Sequence, residues 1–202
     1  MPYKDKINIL YITDYNNNQY DLNFTYIYRK LRTNKNINLI TYKWEYNKDM
    51  LFQLYFDLSK YIYVNDIDVV ITWGLASYFV YSIKKPYKVL INPVLTNIQI
   101  SNYQNIDGFD NFKSFQKNII DKNLIDNSPE NIMVFCSSLD EKLGTNSNFI
   151  ASKLFDNSAL LRNDILNNEK HQISEKSMRN IIDCMINELS KDMTYYILLN
   201  KE

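Results

Sequence analysis

Short apolar runs alternate along the chain with longer amphipathic segments. The apolar runs are rich in β-branched residues and predict buried strands at residues 7–13, 37–42, 68–72, 88–92, 131–136 and 159–162. Apolar residues spaced i, i+3, i+4 and i+7 predict helices at residues 24–31, 51–62, 78–83, 112–120, 147–155 and 174–189. This alternation predicts an α/β fold, in which a mainly parallel, doubly wound sheet is flanked by helices on both faces.

A length of 202 residues without a linker or an internal repeat predicts one domain, spanning residues 1–202. The stretch 94–129 interrupts the alternation, because it is polar and carries Gly108 and a helical piece. In a parallel sheet with right-handed crossovers, the strand-to-helix turns meet at one edge, where ligands bind. We expect residues 94–129 to form a cap-like insertion over that edge.

Charge and composition exclude several function classes. Basic and acidic residues balance at 23 each, so no net field attracts nucleic acid. No apolar run approaches the roughly 20 residues that span a bilayer, and the amino-terminal residues do not resemble a signal peptide. Cys136 and Cys184 lack metal-like spacing, and three separated glycines form no phosphate loop. We expect a cytoplasmic protein with free thiols, no cofactor, no metal, and no nucleic-acid or membrane partner.

Residues 72–76 (TWGLA) follow a buried strand and open a helix. A nucleophile elbow, written G-x-S-x-G, has this strand–turn–helix context and needs small flanking residues. The central position has a strained backbone that glycine adopts freely, so Gly74 keeps the turn but lacks the attacking oxygen. Gly74 is also compatible with a simple tight turn in an unrelated α/β fold.

Two further features follow in chain order. Residues 138–141 (SLDE) come directly after the fifth predicted strand, where Asp140 can orient a histidine. His171, the one histidine of the chain, is predicted in a loop just before the last helix. The order elbow, acid, histidine is that of the α/β-hydrolase triad. Taken singly, His171 also fits a surface or capping residue, and Asp140 with Glu141 also fits a solvated loop.

These features resemble small bacterial esterase-like α/β-hydrolases, whose sequences read YLHGF, GSSLGG, LINP, DEVL and GGDH in order. The counterparts here are residues 11–15 (YITDY), 72–77 (TWGLAS), 90–93 (LINP), 140–143 (DEKL) and 168–171 (NEKH). The resemblance covers nearly the whole chain and implies an α/β-hydrolase-like three-layer sandwich. It implies site positions at Gly74, Asp140 and His171, and binding positions at Thr13, Asp14, Leu75 and Asn92.

The departures from the family pattern weaken the enzyme prediction. The family's His-Gly pair, which shapes one side of the oxyanion hole, is replaced by Thr13 and Asp14, and an aspartate there repels developing negative charge. The backbone N–H of Leu75 remains as a donor, but one donor without a nucleophile does not make an acyl-transfer enzyme. Other hydroxyls and thiols near the predicted edge have no elbow of their own: Ser77, Cys136, Ser137 and Ser138.

Three hypotheses remain open from the sequence. The first is a catalytically inactive α/β-hydrolase-fold protein with a vestigial Asp140–His171 pair, which binds a small molecule or a protein partner. The second is an active hydrolase that uses a non-standard nucleophile, or a water activated by His171 and Asp140. The third is a structural or regulatory interaction module.

Overall fold

The computed structural model describes residues 4–14, 21–101, 107–126, 130–143, 147–155 and 159–200. The strands are β1 (Ile7–Ile12), β2 (Ile37–Tyr42), β3 (Val69–Trp73), β4 (Tyr87–Ile91), β5 (Ile132–Ser137) and β6 (Leu160–Leu166). The helices are α1 (Leu22–Leu31), α2 (Leu51–Val64), α3 (Ser77–Val80), α4 (Asn97–Ile100), α5 (Phe109–Phe115), α6 (Asp121–Asp126), α7 (Ser147–Leu154), α8 (Glu175–Leu189) and α9 (Met193–Leu199).

All six strands are parallel and lie in the order β2-β1-β3-β4-β5-β6. The chain passes from β1 outward to β2 and then returns to β3 on the other side of β1. The order of the strands therefore reverses between β1 and β3, and their carboxyl ends border the crevice where open α/β sheets bind ligands. Asp14 follows β1 and Gly74 follows β3, so both lie at this point.

Helices cover both faces of the sheet, which explains why the inner strands are apolar on both sides. On one face, Ile9 and Tyr11 of β1 pack into a cluster with residues of α1 and α8. On the other face, Leu10 and Ile12 pack into a cluster with residues of α2, α3, α5 and α7. This alternation follows from the two-residue period of a strand. The predicted parallel, doubly wound sheet between two helical layers is confirmed.

Polar side chains begin the helices where the sequence places them. Asp21 accepts a hydrogen bond from the Phe24 backbone N–H at the start of α1. Ser174 caps α8 in the same way through Ser177. Such caps satisfy backbone donors that have no partner inside the helix. His171 directly precedes α8 as predicted, but α9 follows α8, so the prediction that this long helix is the last one is wrong.

The segment 94–129 contains α4, α5 and α6, and α5 continues into α6 through a π-helical stretch, Gln116–Ile120. Phe112 and Phe115 are fully buried in the core cluster on the α2 side. The Phe112 ring lies 5.6 Å from that of Tyr78, and the Phe115 ring lies 5.5 Å from that of Phe79. The helices of this segment are therefore part of the core rather than a detached lobe.

The start of α5 is tied to the loop that follows β2 at the carboxyl edge of the sheet. Lys48 Nζ lies 2.7 Å from Asp107 Oδ2, and Asn111 Nδ2 donates to the Lys48 carbonyl at 2.9 Å. Gly108 begins α5 with a φ of +82°, which places it against the Lys48 side chain. The start of α5 is thus anchored beside the edge that carries the candidate site.

Candidate functional site

Gly74 lies at the turn between β3 and α3 with a φ of +62°, a backbone conformation that L side chains rarely adopt. It opens a single 3₁₀ turn, Gly74–Ala76, which runs directly into α3. Gly74, Leu75 and Ala76 are all buried. The local geometry is therefore a sharp strand-to-helix turn with a left-handed central residue, as the elbow pattern predicts.

His171 and Asp140 are in direct contact at the carboxyl edge of the sheet. The Nδ1 atom of His171 lies 2.9 Å from Oδ2 and 3.1 Å from Oδ1 of Asp140. Because an ionised carboxylate only accepts, Nδ1 is the protonated nitrogen and donates to Asp140. Asp140 Oδ1 also accepts the backbone N–H groups of Lys142 and Leu143, which fix the carboxylate in place.

The Asp14 carboxylate fills the space between the elbow and the imidazole. Its Oδ1 accepts a hydrogen bond from the Leu75 backbone N–H at 2.9 Å. Its Oδ2 lies 3.6 Å from Nε2 of His171. In a nucleophile elbow, the N–H of the residue after the nucleophile belongs to the oxyanion hole. Here that donor already holds a carboxylate of the chain itself.

Two carboxylates therefore flank one imidazole, and all three side chains are deeply buried. The exposed fraction is 2% for His171, 4% for Asp14 and 5% for Asp140. Burial alone lowers the pKa of His171, but the contacts with Asp14 and Asp140 outweigh it and raise the pKa above its ordinary value. The two contacts thus stabilise the protonated imidazole relative to the neutral one and offset the effect of burial.

The backbone of His171 is held by two side chains that the sequence patterns did not single out together. Trp73 donates from Nε1 to the His171 carbonyl at 3.2 Å, and its ring lies 5.2 Å from the imidazole. Asn92 Nδ2 donates to the same carbonyl at 2.8 Å and to Ser137 Oγ at 2.9 Å. Asn92 Oδ1 accepts the Ser137 backbone N–H at 2.6 Å, so the side-chain amide is engaged at both ends within the protein.

Thr13 reaches the site through its backbone. The Trp44 indole Nε1, from the loop after β2, donates to the Thr13 carbonyl at 2.8 Å. The Trp44 ring packs against Phe79, which links this loop to the α3 side of the core. The structure therefore brings Thr13, Asp14, Leu75, Asp140 and His171 to one place. Tyr15, the last residue of the first motif, lies outside the described residues.

The other hydroxyl and thiol groups near this edge have partners or environments that leave them unsuited to attack. Ser77 Oγ lies 2.8 Å from Thr72 Oγ1 inside the core. Cys136 is a buried free thiol whose pKa burial raises to about 12, so it stays protonated near neutral pH. Ser137 bonds Asn92, and Ser138 Oγ accepts the Asn168 backbone N–H.

By sequence, the chain matches no family model and no curated protein. Solved structures give a clear result instead. The esterase domain of a Rhodothermus marinus protein aligns with a TM-score of 0.69 at 9% identity, covering 92% of this chain and 86% of that one. Mouse alpha/beta hydrolase domain-containing protein 10 aligns with a TM-score of 0.56 at 10% identity, covering 91% and 89%. This chain has the α/β-hydrolase fold.

A third solved structure with the same architecture is a chain of the Glycosylation Associate Protein (Gap123) complex from Streptococcus agalactiae. It aligns with a TM-score of 0.57 at 10% identity and covers 96% of this chain but 44% of that chain. At identities of this size, the structural alignments establish the α/β-hydrolase fold and not the chemistry. The chemistry must therefore be argued from the residues of this chain.

Two further observations concern metal binding and membrane-spanning helices. Within the described part of the chain, no group of three or more His, Cys, Asp or Glu side chains is arranged to hold a metal ion. In the same part, no helix is both long enough and apolar enough to cross a membrane.

Proposed function

We propose that this α/β-hydrolase-fold protein does not catalyse acyl transfer and acts instead by binding a protein partner. The observation that carries the proposal is the position of the Asp14 carboxylate, 2.9 Å from the Leu75 N–H and 3.6 Å from His171 Nε2. Gly74 supplies no attacking atom at the elbow. Asp140 and His171 are then the remnant of a triad whose third member is absent.

The electrostatics of the site oppose ester hydrolysis. A tetrahedral intermediate needs hydrogen-bond donors aimed at its oxyanion, and removing one such donor costs an enzyme about 10²–10³ in kcat. At this site the Leu75 donor is bound to a carboxylate, so an oxyanion would meet a negative charge in a buried environment. Electrostatic repulsion is strong where water is excluded. The presence of Asp14 at this position thus works against catalysis, independently of the missing nucleophile at Gly74.

The histidine is also committed to a structural contact. In a working triad, Nε2 takes the proton of the nucleophile while Nδ1 donates to the acid. Here Nδ1 of His171 donates to Asp140, and Nε2 faces Asp14. The contacts with Asp14 and Asp140 raise the pKa of His171 and so favour the protonated form, which cannot take a proton from a nucleophile. The arrangement supports a role in holding the edge of the sheet together.

A protein partner fits these observations better than a small-molecule substrate does. The side chains that would meet a substrate are at most 5% exposed, so they present almost no polar surface to a ligand. The Streptococcus agalactiae chain with this architecture is a component of a protein complex, which supports a binding role for such a fold. Binding of a small ligand at the site between β1 and β3 would contradict the proposal of a protein partner.

We further propose that residues 94–129 act as a cap that closes this edge. The contacts of Asp107 and Asn111 with Lys48 support it, because they fasten the insertion to the loop after β2. The same loop bonds the Thr13 carbonyl through Trp44. A cap that is fixed in this way keeps the Asp14–His171 contact away from water.

The test is a comparison of wild type with His171→Ala on short-chain aryl esters at high protein concentration. The proposal predicts the same background rate for both proteins, and no labelling of either by a covalent serine-hydrolase probe. Turnover by the wild type that His171→Ala abolishes would contradict the proposal. A short-chain ester that binds without turnover, seen by calorimetry and lost in Asp14→Ala, would replace the protein partner by a small ligand.

The alternative function is a hydrolase with a non-standard nucleophile, and one contact favours a specific candidate. Asp14 Oδ2 lies 3.6 Å from His171 Nε2, so a carboxylate rather than a hydroxyl stands beside the imidazole. Attack by this carboxylate on the acyl carbon of an ester would break the bond to the alcohol, which leaves, and would form an acyl anhydride on Asp14. A water that gives its proton to His171 would then hydrolyse the anhydride to the free acid and restore the Asp14 carboxylate. In the His171→Ala variant this acyl-Asp14 intermediate would accumulate, and mass spectrometry would find the acyl group on Asp14. Its absence excludes the alternative.

A further inference from the structure

The six-stranded sheet ends at β6, and the outer edge of this strand is open in the described part of the chain. No residue of β6 is buried, in contrast to β5, where every residue is buried. Leu161 is 37% exposed and Ile165 is 51% exposed. An open edge strand with exposed apolar side chains is a template for pairing with another strand.

The backbone groups available for such pairing follow from the bonds to β5. Ser138 donates its backbone N–H to the Leu166 carbonyl, so the backbone groups of Leu166 face β5. Because these groups alternate in direction along a strand, Asn163 and Ile165 turn their N–H and C=O groups outward. The irregularity in the β5–β6 register lies beside Leu161, outside this central part.

The residue order of β6 is complementary to its own reverse, because Arg162 and Asp164 exchange places when the strand is read backwards. The strand reads LLRNDIL, so leucines stand at both ends, exposed aliphatic residues stand one step inward, and Arg162 and Asp164 flank the central Asn163. When two copies pair antiparallel about a two-fold axis at Asn163, Leu161 faces Ile165 of the second copy. Arg162 then faces Asp164 of the second copy, and the reverse.

From this juxtaposition we propose that a second copy of this chain pairs antiparallel along β6, with the two-fold axis at Asn163, and continues the sheet. The charges of Arg162 and Asp164 favour this register over the two neighbouring registers. Moving the axis by one residue places Arg162 opposite Arg162, or Asp164 opposite Asp164, and like charges directly across strands are destabilising. A C2 interface requires such self-complementarity.

Asn163 also connects β6 to α7. Its Nδ2 donates to the Asn148 carbonyl at 2.8 Å.

The contact extends beyond the strand itself. Asn148 belongs to α7, and the next residue, Phe149, is 61% exposed. An exposed aromatic ring beside the strand adds the apolar area that an edge-to-edge contact alone lacks, since stable interfaces bury about 800 Å² per partner. This interface lies at the β6 end of the sheet and does not involve Asp14. Its test is therefore independent of the test of the proposed function.

The test is sedimentation of wild type and charge variants over a wide concentration range. Wild type is expected to dimerise. Arg162→Asp and Asp164→Arg each place like charges across the axis and are expected to weaken the dimer about tenfold or more. The double variant R162D/D164R restores opposite charges and is expected to dimerise like wild type.

Mixing the two single variants separates the contact between copies from the one within a chain. Arg162 and Asp164 also pair within one chain, with Nη2 2.8 Å from Oδ2, and each single variant loses this pair. In the mixture, however, every cross-strand charge is again opposite, so heterodimers are expected although both internal pairs stay broken. A monomeric wild type, single variants that dimerise normally, or a mixture that stays monomeric would overturn the proposal.

Discussion

The Asp14 carboxylate accepts a hydrogen bond from the Leu75 backbone N–H at 2.9 Å. In a hydrolase with this fold, the corresponding N–H stabilises a transient oxyanion. Here the same N–H is bonded to a carboxylate of the chain itself, which also lies 3.6 Å from Nε2 of His171. The Asp14 side chain therefore both occupies the Leu75 N–H and faces His171. The predictions below follow from this contact and from the residues that support it.

The ionisation of His171 provides the first prediction. The chain has one histidine, so its imidazole resonances titrate without overlap in an NMR spectrum. We expect a midpoint above the ordinary value of 6.5, because contacts with Asp14 and Asp140 outweigh burial. Asp14→Asn and Asp140→Asn should each lower the midpoint. A wild-type midpoint at or below the ordinary value would contradict the described contacts.

The same pKa shift predicts how stability depends on pH. Because the folded-state pKa of His171 is raised, its stabilising contribution is complete below about 6.5 and is lost as the pH rises through the folded-state value. Burial lowers the pKa of Lys88 to about 7, which gives an opposite slope at higher pH. Lys88 contributes equally to wild type and to His171→Gln, so its contribution cancels in the difference between their free energies of unfolding. We expect this difference to shrink as the pH rises, and an unchanged or growing difference would refute the shift.

Asn92 provides a prediction about the structural support of the site. Its side chain joins Ser137 to the His171 carbonyl, and its φ is +44°. We expect Asn92→Ala to lower the free energy of unfolding by about 2–4 kcal/mol, through lost buried hydrogen bonds and backbone strain. Asn92→Gly removes the same bonds but suits the left-handed backbone, so it should cost about 1 kcal/mol less. Equal costs in denaturant titrations would show that the backbone strain is negligible.

Gly108 tests how the insertion is fastened. A Cβ added at this residue would lie 2.6 Å from Lys48 Cβ, and φ is +82°. We expect Gly108→Ala to lower the free energy of unfolding by about 1–3 kcal/mol and to speed amide exchange at residues 107–112. In a Lys48→Gly background the steric part disappears, so the cost of Gly108→Ala should be smaller. An equal cost in both backgrounds would leave only the backbone conformation as its cause.

Much of the fold could be predicted from the sequence, because buried parallel strands carry a strong apolar signal. Each of the six strands overlaps a predicted apolar run, and the first five agree with it within one residue. The sixth, however, is Leu160–Leu166 and not residues 159–162, since Arg162, Asn163 and Asp164 break the apolar run. An edge strand tolerates such polar residues, and the hydrophobic pattern cannot recognise it there. Helix α9 also escaped prediction, because its seven residues are too few for a clear periodicity.

The candidate site was predictable in its members but not in its contacts. The motif order predicts that Asp14, Gly74, Asp140 and His171 meet at one edge of the sheet. It does not predict that the Asp14 carboxylate bonds the Leu75 N–H, because this bond depends on the spacing of β1 and β3. The supporting bonds of Trp73 and Asn92 to the His171 carbonyl were missed for the same reason.

The most direct test of the account is a double-variant cycle at Asp14 and Gly74, measured as hydrolysis of short-chain aryl esters. Gly74→Ser alone restores the nucleophile but leaves the carboxylate on the Leu75 N–H, and Asp14→Gly alone frees the donor but supplies no nucleophile. We predict turnover above background only in D14G/G74S, and its loss when His171→Ala is added. Hydrolysis by Gly74→Ser alone at the rate of the double variant would contradict the claim that Asp14 blocks the site.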